Sequence, residues 1–228
     1  MDDNAPTPGF VAVSSTDTSP YNRKVGRVAL ISRGFKGRRR EDAPRDRVPP
    51  GQYVTTDFPV LSAGPTPYVA LENWSLSLTT ERGESISWTW SEFLGLPTEP
   101  INADIHCVTK WSKLDTSWEG VSIDTLLQDV QTEAGFLLVE SFDGYTTNLP
   151  LADVTNAKAW VAHLYEGEPL APEHGGPARL LVPHLYLWKS AKWVRALQLS
   201  LEDRIGFWEG YGYHNYGDPW KEQRYAGD

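Results

Sequence analysis

The chain has 228 residues, of which 40% are hydrophobic, with a net charge of −9 and a single cysteine. One cysteine excludes an intramolecular disulfide framework and a zinc site built on paired thiolates, and no run of eighteen apolar residues suggests a membrane span. With a mean hydropathy of −0.43, the chain is long enough for one large core, and its ten tryptophans must fill something bulky.

Residues 1–30 hold Pro6, Pro8, Gly9, Ser14, Ser15 and Ser19 with little apolar periodicity, and are expected to form a flexible tail. No apolar signal core follows Met1-Asp2-Asp3-Asn4, so a cytoplasmic address is expected. Arg23 to Arg47 contains ten of the 21 basic residues and three acids, a balance of +7 against −16 for the rest. The run Gly37-Arg38-Arg39-Arg40 invites a nucleic-acid reading. The acidic remainder would repel phosphate polymers, and no aromatic-basic platform surrounds the run, so no nucleic-acid partner is expected. Glu41-Asp42-Ala43-Pro44 stands where a twin-arginine export signal needs apolar residues.

From Arg33 to Gly64 the Arg, Pro and Gly content predicts an extended, irregular segment. Trp74, Leu76 and Leu78 alternate with serines, as do Ile86, Trp88 and Trp90 with Ser87 and Thr89, and both read as strands. Ser91 is the predicted cap of a short helix, Glu92 to Leu96, which Pro97 ends. Ile101, Ala103, Ile105 and Cys107 share one strand face, and Ser122 caps a helix through Leu126, Leu127 and Val130. Further strands are predicted over 135–140, 159–165, 178–182 and 192–201, with a turn at Glu166-Gly167-Glu168-Pro169. Residues 206–228, aromatic and glycine-rich, read as coil packed onto the body. Many short strands and few short helices predict an α+β, strand-rich fold, with one domain over residues 31–228.

Cys107 on an apolar strand face is, taken alone, a small buried hydrophobe. The stretch around it is polar, with Asp104, His106, Thr109, Lys110, Ser112 and Lys113, and Lys110 or Lys113 would favour a thiolate. A Cys–His hydrolase with His106, His163 or His174 as base has no specific support, because His106 points to the opposite face of a strand. The segment Asp104-Ile105-His106-Cys107-Val108-Thr109-Lys110-Trp111-Ser112, followed by Trp118-Glu119-Gly120, resembles the molybdenum-cysteine motif of the sulfite oxidase family. Its form is similar to the compact bacterial branch that includes protein-methionine-sulfoxide reductase catalytic subunits. His174-Gly175-Gly176-Pro177-Ala178-Arg179, then Lys189-Ser190-Ala191-Lys192-Trp193, resembles that family's pterin-phosphate segment, and Glu140-Ser141-Phe142-Asp143 a third pterin contact.

The resemblance implies the mixed α+β sulfite oxidase fold and a molybdenum-molybdopterin (Mo-MPT) cofactor. It implies that Cys107 ligates the metal and that Arg179, Ser190, Ala191 and Lys192 hold the phosphate end. His174, Ser141 and Asp143 would contact the pterin, as would Phe58, Val60 and Leu61 from Asp57-Phe58-Pro59-Val60-Leu61, although the relatives' Asn and Tyr-Tyr are missing there. Such a site needs a soft donor at one end and cations at the other, and Gly175-Gly176 lets backbone approach a ligand. The relatives' Arg-Asn-His segment is also missing, which leaves Arg33, Arg38, Arg39 and Arg40 as candidates for meeting an anionic substrate. A tyrosine near the metal falls on Tyr213 or Tyr211, with Tyr213 preferred as a catalytic hydrogen-bond donor. The implied activity is oxygen-atom transfer to or from a sulfur or nitrogen centre, on a small or protein-borne substrate. Electrons would pass to a separate electron-transfer protein, and a monomer is expected. The alternative is a pterin-fold protein that has lost catalysis and serves as a binding or scaffold module.

Overall fold

The computed structural model describes residues 39–40, 44 and 46–228, Arg39 and Arg40 by their backbone alone. The tail expected over residues 1–30, and Arg33 and Arg38, lie outside the described residues.

Two sheets carry the chain. The first contains β1 (Arg39–Arg40), β2 (Tyr53–Thr55), β5 (Glu99–His106), β6 (Trp111–Ser122), β9 (Trp160–Tyr165), β10 (Glu168–Pro169) and β11 (Arg179–Leu181). The second has the order β4-β3-β12-β7-β8, formed by β3 (Ser75–Thr79), β4 (Ser85–Thr89), β7 (Phe136–Ser141), β8 (Thr146–Pro150) and β12 (Val194–Ser200). In the second sheet β12 runs parallel to β3 and antiparallel to β7. The helices are short: α1 (Trp90–Leu94), α2 (Ile123–Leu126) and α3 (Phe207–Gly210). This is the strand-rich α+β architecture expected.

The alternating residues of β3 and β5 found their predicted faces, because a half-buried strand must turn every second side chain to the core. In β4, by contrast, Ile86 is exposed and Trp90 instead opens α1. Leu76 and Leu78 are buried, and they join Leu137, Val139, Val161, Leu180 and Leu197 in the main core. The cap of α1 departs from expectation: Thr89, not Ser91, caps it. Thr89 Oγ1 accepts from Glu92 N while the Glu92 carboxylate accepts from Thr89 N, a reciprocal pair that satisfies two free donors. Ser122 caps α2 as predicted, accepting from Thr125 N at 3.1 Å.

Five strands went unforeseen. β1 and β2 lie inside the segment read as irregular, β10 falls where a turn was read at Glu166-Gly167-Glu168-Pro169, and β6 and β8 carry no clean apolar alternation. β6 is central nonetheless, pairing with β2, β5 and β9. Its inward polar residues are satisfied within the fold: Thr116 Oγ1 donates to Ala103 O and accepts from Trp118 Nε1.

A second cluster of buried side chains lies along β5, β6 and β9: Ile101, Ile105, Cys107, Trp111, Trp118 and Ala162, with Phe58, Leu61 and Tyr165 packed against it. Arg47, at the end of the basic segment, bridges the β5–β6 pair, bonding Asp104 at 2.6 and 2.9 Å and Asp115 at 2.6 Å. No helix among the described residues is long and apolar enough to cross a membrane.

Candidate functional site

Cys107 follows β5 directly and opens the turn into β6. Its N–H donates to Trp111 O at 2.9 Å, and its carbonyl accepts from Lys110 N at 2.9 Å. Lys110 takes φ 76°, a left-handed conformation that closes the turn tightly. The thiol is buried, which pushes its pKa up, while the Thr109 hydroxyl donating to Sγ at 3.2 Å and the field of Lys192 oppose that shift. This corrects the part expected of Lys110 and Lys113. Lys110 is exposed, and Lys113 Nζ donates to Thr56 O at 2.8 Å. The distant Lys192 is the cation that acts on the thiol.

No histidine bonds the thiol among the described residues. His106 Nδ1 pairs with Ser112 Oγ at 2.8 Å, His163 Nδ1 with Glu119 O, and the His174 ring stacks on Phe58. The geometry for a Cys–His nucleophile is missing.

The other end of the site is cationic. Arg179 in β11 is 2% exposed, and three of its N–H groups donate to carbonyls, of Leu180, His174 and Ser190. Its fork is therefore not free to grip a phosphate with two parallel bonds as expected; one N–H remains on each terminal nitrogen. Lys192 Nζ donates to Leu61 O, Ser62 Oγ and Glu173 O, all neutral acceptors. Burial lowers Arg179 to about 10, while burial and then Arg179 lower Lys192 to about 7. Lys189 is a useful contrast, since its ammonium is paired with the Glu209 carboxylate. Arg179 and, when protonated, Lys192 set neighbouring positive charges against neutral oxygens, and a bound anion would favour the charged form of Lys192.

Three buried polar side-chain atoms among the residues the resemblance singles out have no hydrogen-bond partner: Ser141 Oγ, His174 Nδ1 and Trp111 Nε1. The His174 ring is parallel to Phe58 at 4.0 Å and 7°, and Phe58 also touches Trp111, Trp118 and Tyr165. Asp143 Oδ1 accepts from Tyr145 N; burial raises its pKa and the field of Lys192 opposes that. Gly175 has φ 109°, and a Cβ there would sit 3.1 Å from Lys192 Cα and 3.0 Å from Arg179 Cβ, so the turn needs glycine. Ser190 uses its hydroxyl internally, accepting from Val182 N, and the Ala191 carbonyl accepts from Leu180 N. Val60 stands apart, 49% exposed, whereas the neighbouring Leu61 offers its carbonyl to Lys192.

Tyr213 packs against Trp188, Trp208 and Tyr225, and its hydroxyl feels the charge of Cys107 after the larger effect of burial. Tyr211 is 55% exposed and packs on Phe207 and Trp208 instead. Sequence reasoning missed Trp111 as a polar contributor, Lys189 as the partner of Glu209, and Gln52. Trp111 and Lys189 each stood inside a quoted motif; Gln52 had no signal.

A molybdopterin fits these residues. Cys107 is a single soft donor, so a metal bound there must arrive with other ligands, as a dithiolene supplies. The unpartnered Ser141, His174 and Trp111 atoms suit a flat heterocycle rich in donors and acceptors, and the cation pair suits its phosphate.

The low pKa of Lys192 predicts an unusual pH dependence. Between about pH 7 and 10.5 the unfolded chain holds a proton on Lys192 that the folded cofactor-free protein does not. Stability from this group therefore rises with pH across that window. Urea unfolding of wild-type and Lys192→Met protein should show the wild type gaining relative stability as pH rises. A constant difference would refute it.

The chain matches the oxidoreductase molybdopterin binding domain family over residues 63–208. It is 43% identical over 197 residues to "Uncharacterized oxidoreductase YuiH" of Bacillus subtilis, covering 85% of this chain and all of that one. It is 24% identical over 165 residues to the protein-methionine-sulfoxide reductase catalytic subunit MsrP of Campylobacter jejuni, covering 64% of this chain and 55% of that protein. It is 25% identical over 164 residues to mouse mitochondrial sulfite oxidase, covering 59% and 30%. Beyond YuiH, the chain thus spans about half or less of these relatives. Among solved structures, the sulfane dehydrogenase SoxCD of Paracoccus pantotrophus shares the fold, with a TM-score of 0.55 and 21% identity over 60% of this chain and 41% of that one. The chain belongs to the sulfite oxidase family of molybdopterin-dependent oxidoreductases.

Proposed function

We propose that this chain binds molybdenum as Mo-MPT, with Cys107 as the protein's thiolate ligand, and moves an oxygen atom to or from a sulfur or nitrogen centre. The observation that carries the reading is one assembly with a buried lone thiol at one end and the Arg179–Lys192 cation pair at the other. When bound, the cofactor supplies two-electron chemistry that protein side chains cannot.

The chain's own residues do the rest. The Cys107 turn presents Sγ, and the Thr109 hydroxyl stabilises the thiolate by hydrogen bonding. Arg179 and Lys192 neutralise the phosphate, Phe58 and His174 wall the ring, and Ser141 and Asp143 contact its polar edge. Tyr213 is the proposed hydrogen-bond donor beside the reacting centre, being half-buried among Trp188, Trp208 and Tyr225 where Tyr211 is exposed. Electrons pass to a separate protein.

The test is a screen of protein from a molybdopterin-producing host. Sulfoxides, N-oxides and nitrate are offered with a reduced viologen dye, and sulfite with ferricyanide. Turnover by protein holding about one molybdenum per chain is expected, since one thiolate binds one metal. Metal without turnover of any class would favour the scaffold reading, and protein without metal would end both.

A further inference from the structure

We infer that Gln52 is a positioning residue for the Cys107 turn, an inference that rests on reading Cys107 as the metal ligand. Gln52 Nε2 donates to Cys107 O at 3.1 Å from 55 residues away in sequence, alongside the local bond from Lys110 N. The Cys107 carbonyl was already satisfied by Lys110, so the second donor adds position. It ties the ligand turn to a different part of the chain. The next residue continues the tie, with Tyr53 N donating to Lys110 O at 2.9 Å and Tyr53 in register with Trp111.

Gln52 is itself held from a third direction. Gly51 has φ +70°, and a Cβ there would stand 2.6 Å from Glu222 Oε1 and 3.2 Å from Arg224 Nη2. Arg224, 8% exposed, bonds Glu222 at 2.7 Å and reaches Pro50 O at 3.3 Å, while its guanidinium lies over the Tyr186 ring at 5.5 Å. The C-terminal segment thus clamps the turn that carries Gln52.

The same amide also bonds the Tyr186 side chain, whose hydroxyl is buried. Gln52 thereby joins the Cys107 turn to Tyr186 and, through Gly51, to the C-terminal clamp.

Gln52→Met tests this. The variant should stay folded, with a smaller fall in urea midpoint than a buried Leu→Ala change produces. In cofactor-free protein its Cys107 thiol should react with an aromatic disulfide reagent about 3- to 10-fold faster, the scale of one lost hydrogen bond. In the loaded enzyme the thiolate-to-metal charge-transfer absorption should shift, with kcat reduced and KM little changed. Leu199→Ala, a core variant in the other sheet, should lower the urea midpoint and leave the band in place. A Gln52→Met protein with wild-type thiol rate or wild-type band overturns the inference alone. A wild-type enzyme with no such band overturns the ligand assignment and the inference with it.

Discussion

Cys107→Ser protein, made in a molybdopterin-producing host, should lose the thiolate-to-metal charge-transfer absorption and show no turnover. The physical reason is the single protein donor: a hydroxyl is far harder to deprotonate than a thiol and is a poor match for a soft site. Metal content should fall less sharply, because the other groups that hold the cofactor are untouched. The side chain is buried and isosteric with serine to within one atom, so the fold should survive, and the introduced hydroxyl would keep Thr109 Oγ1 as a partner. Absorption spectra and metal analysis alongside a urea melt separate ligand loss from unfolding. A folded Cys107→Ser protein that keeps the metal and its thiolate charge-transfer absorption would sink the assignment.

Lys189→Met should destabilise the protein by roughly 3–5 kcal/mol, the scale for removing one partner of a buried ion pair. Lys189 is 1% exposed and uses all three N–H groups, on Glu209 Oε1 and on both oxygens of Asn148. Glu209 Oε1 also accepts from Trp188 Nε1 at 3.0 Å and Thr147 Oγ1 at 3.4 Å. Without Lys189 its charge would remain buried against neutral donors. The thermal midpoint should fall on the order of 10 °C for a chain of this size. Lys189→Met with Glu209→Leu, which removes both charges, should recover much of the loss. A single-variant loss below about 1 kcal/mol in urea would show that the pair is not the anchor we take it for. The pair matters to the site because Glu209 sits in α3, and the segment after α3 carries Tyr213 onto Trp188.

Alternation made β3 and β5 legible, since apolar side chains at every second position turn to one face that the core covers; in β4 it marked the strand but not a buried face, as Ile86 is exposed. The motif around Cys107 and the pair His174 and Arg179 were legible as a resemblance. β6 was not, because its buried Ser112 and Thr116 look like surface residues until His106, Ala103 and Trp118 are brought to them. Asn148 in β8 is the same case: a buried amide whose partners, Asp203 and Asn215, lie more than fifty residues on.

Length, a single cysteine and strand periodicity determined the fold class and the one thiol available to a metal, because burial of apolar faces is written locally along the chain. The tertiary structure decided which cations act on that thiol, setting Lys192 in place of Lys110 and Lys113. It also brought Gln52 and the C-terminal Arg224 to the Cys107 turn. Hydrogen bonds and fields act across space between residues far apart in sequence, and no local pattern records them.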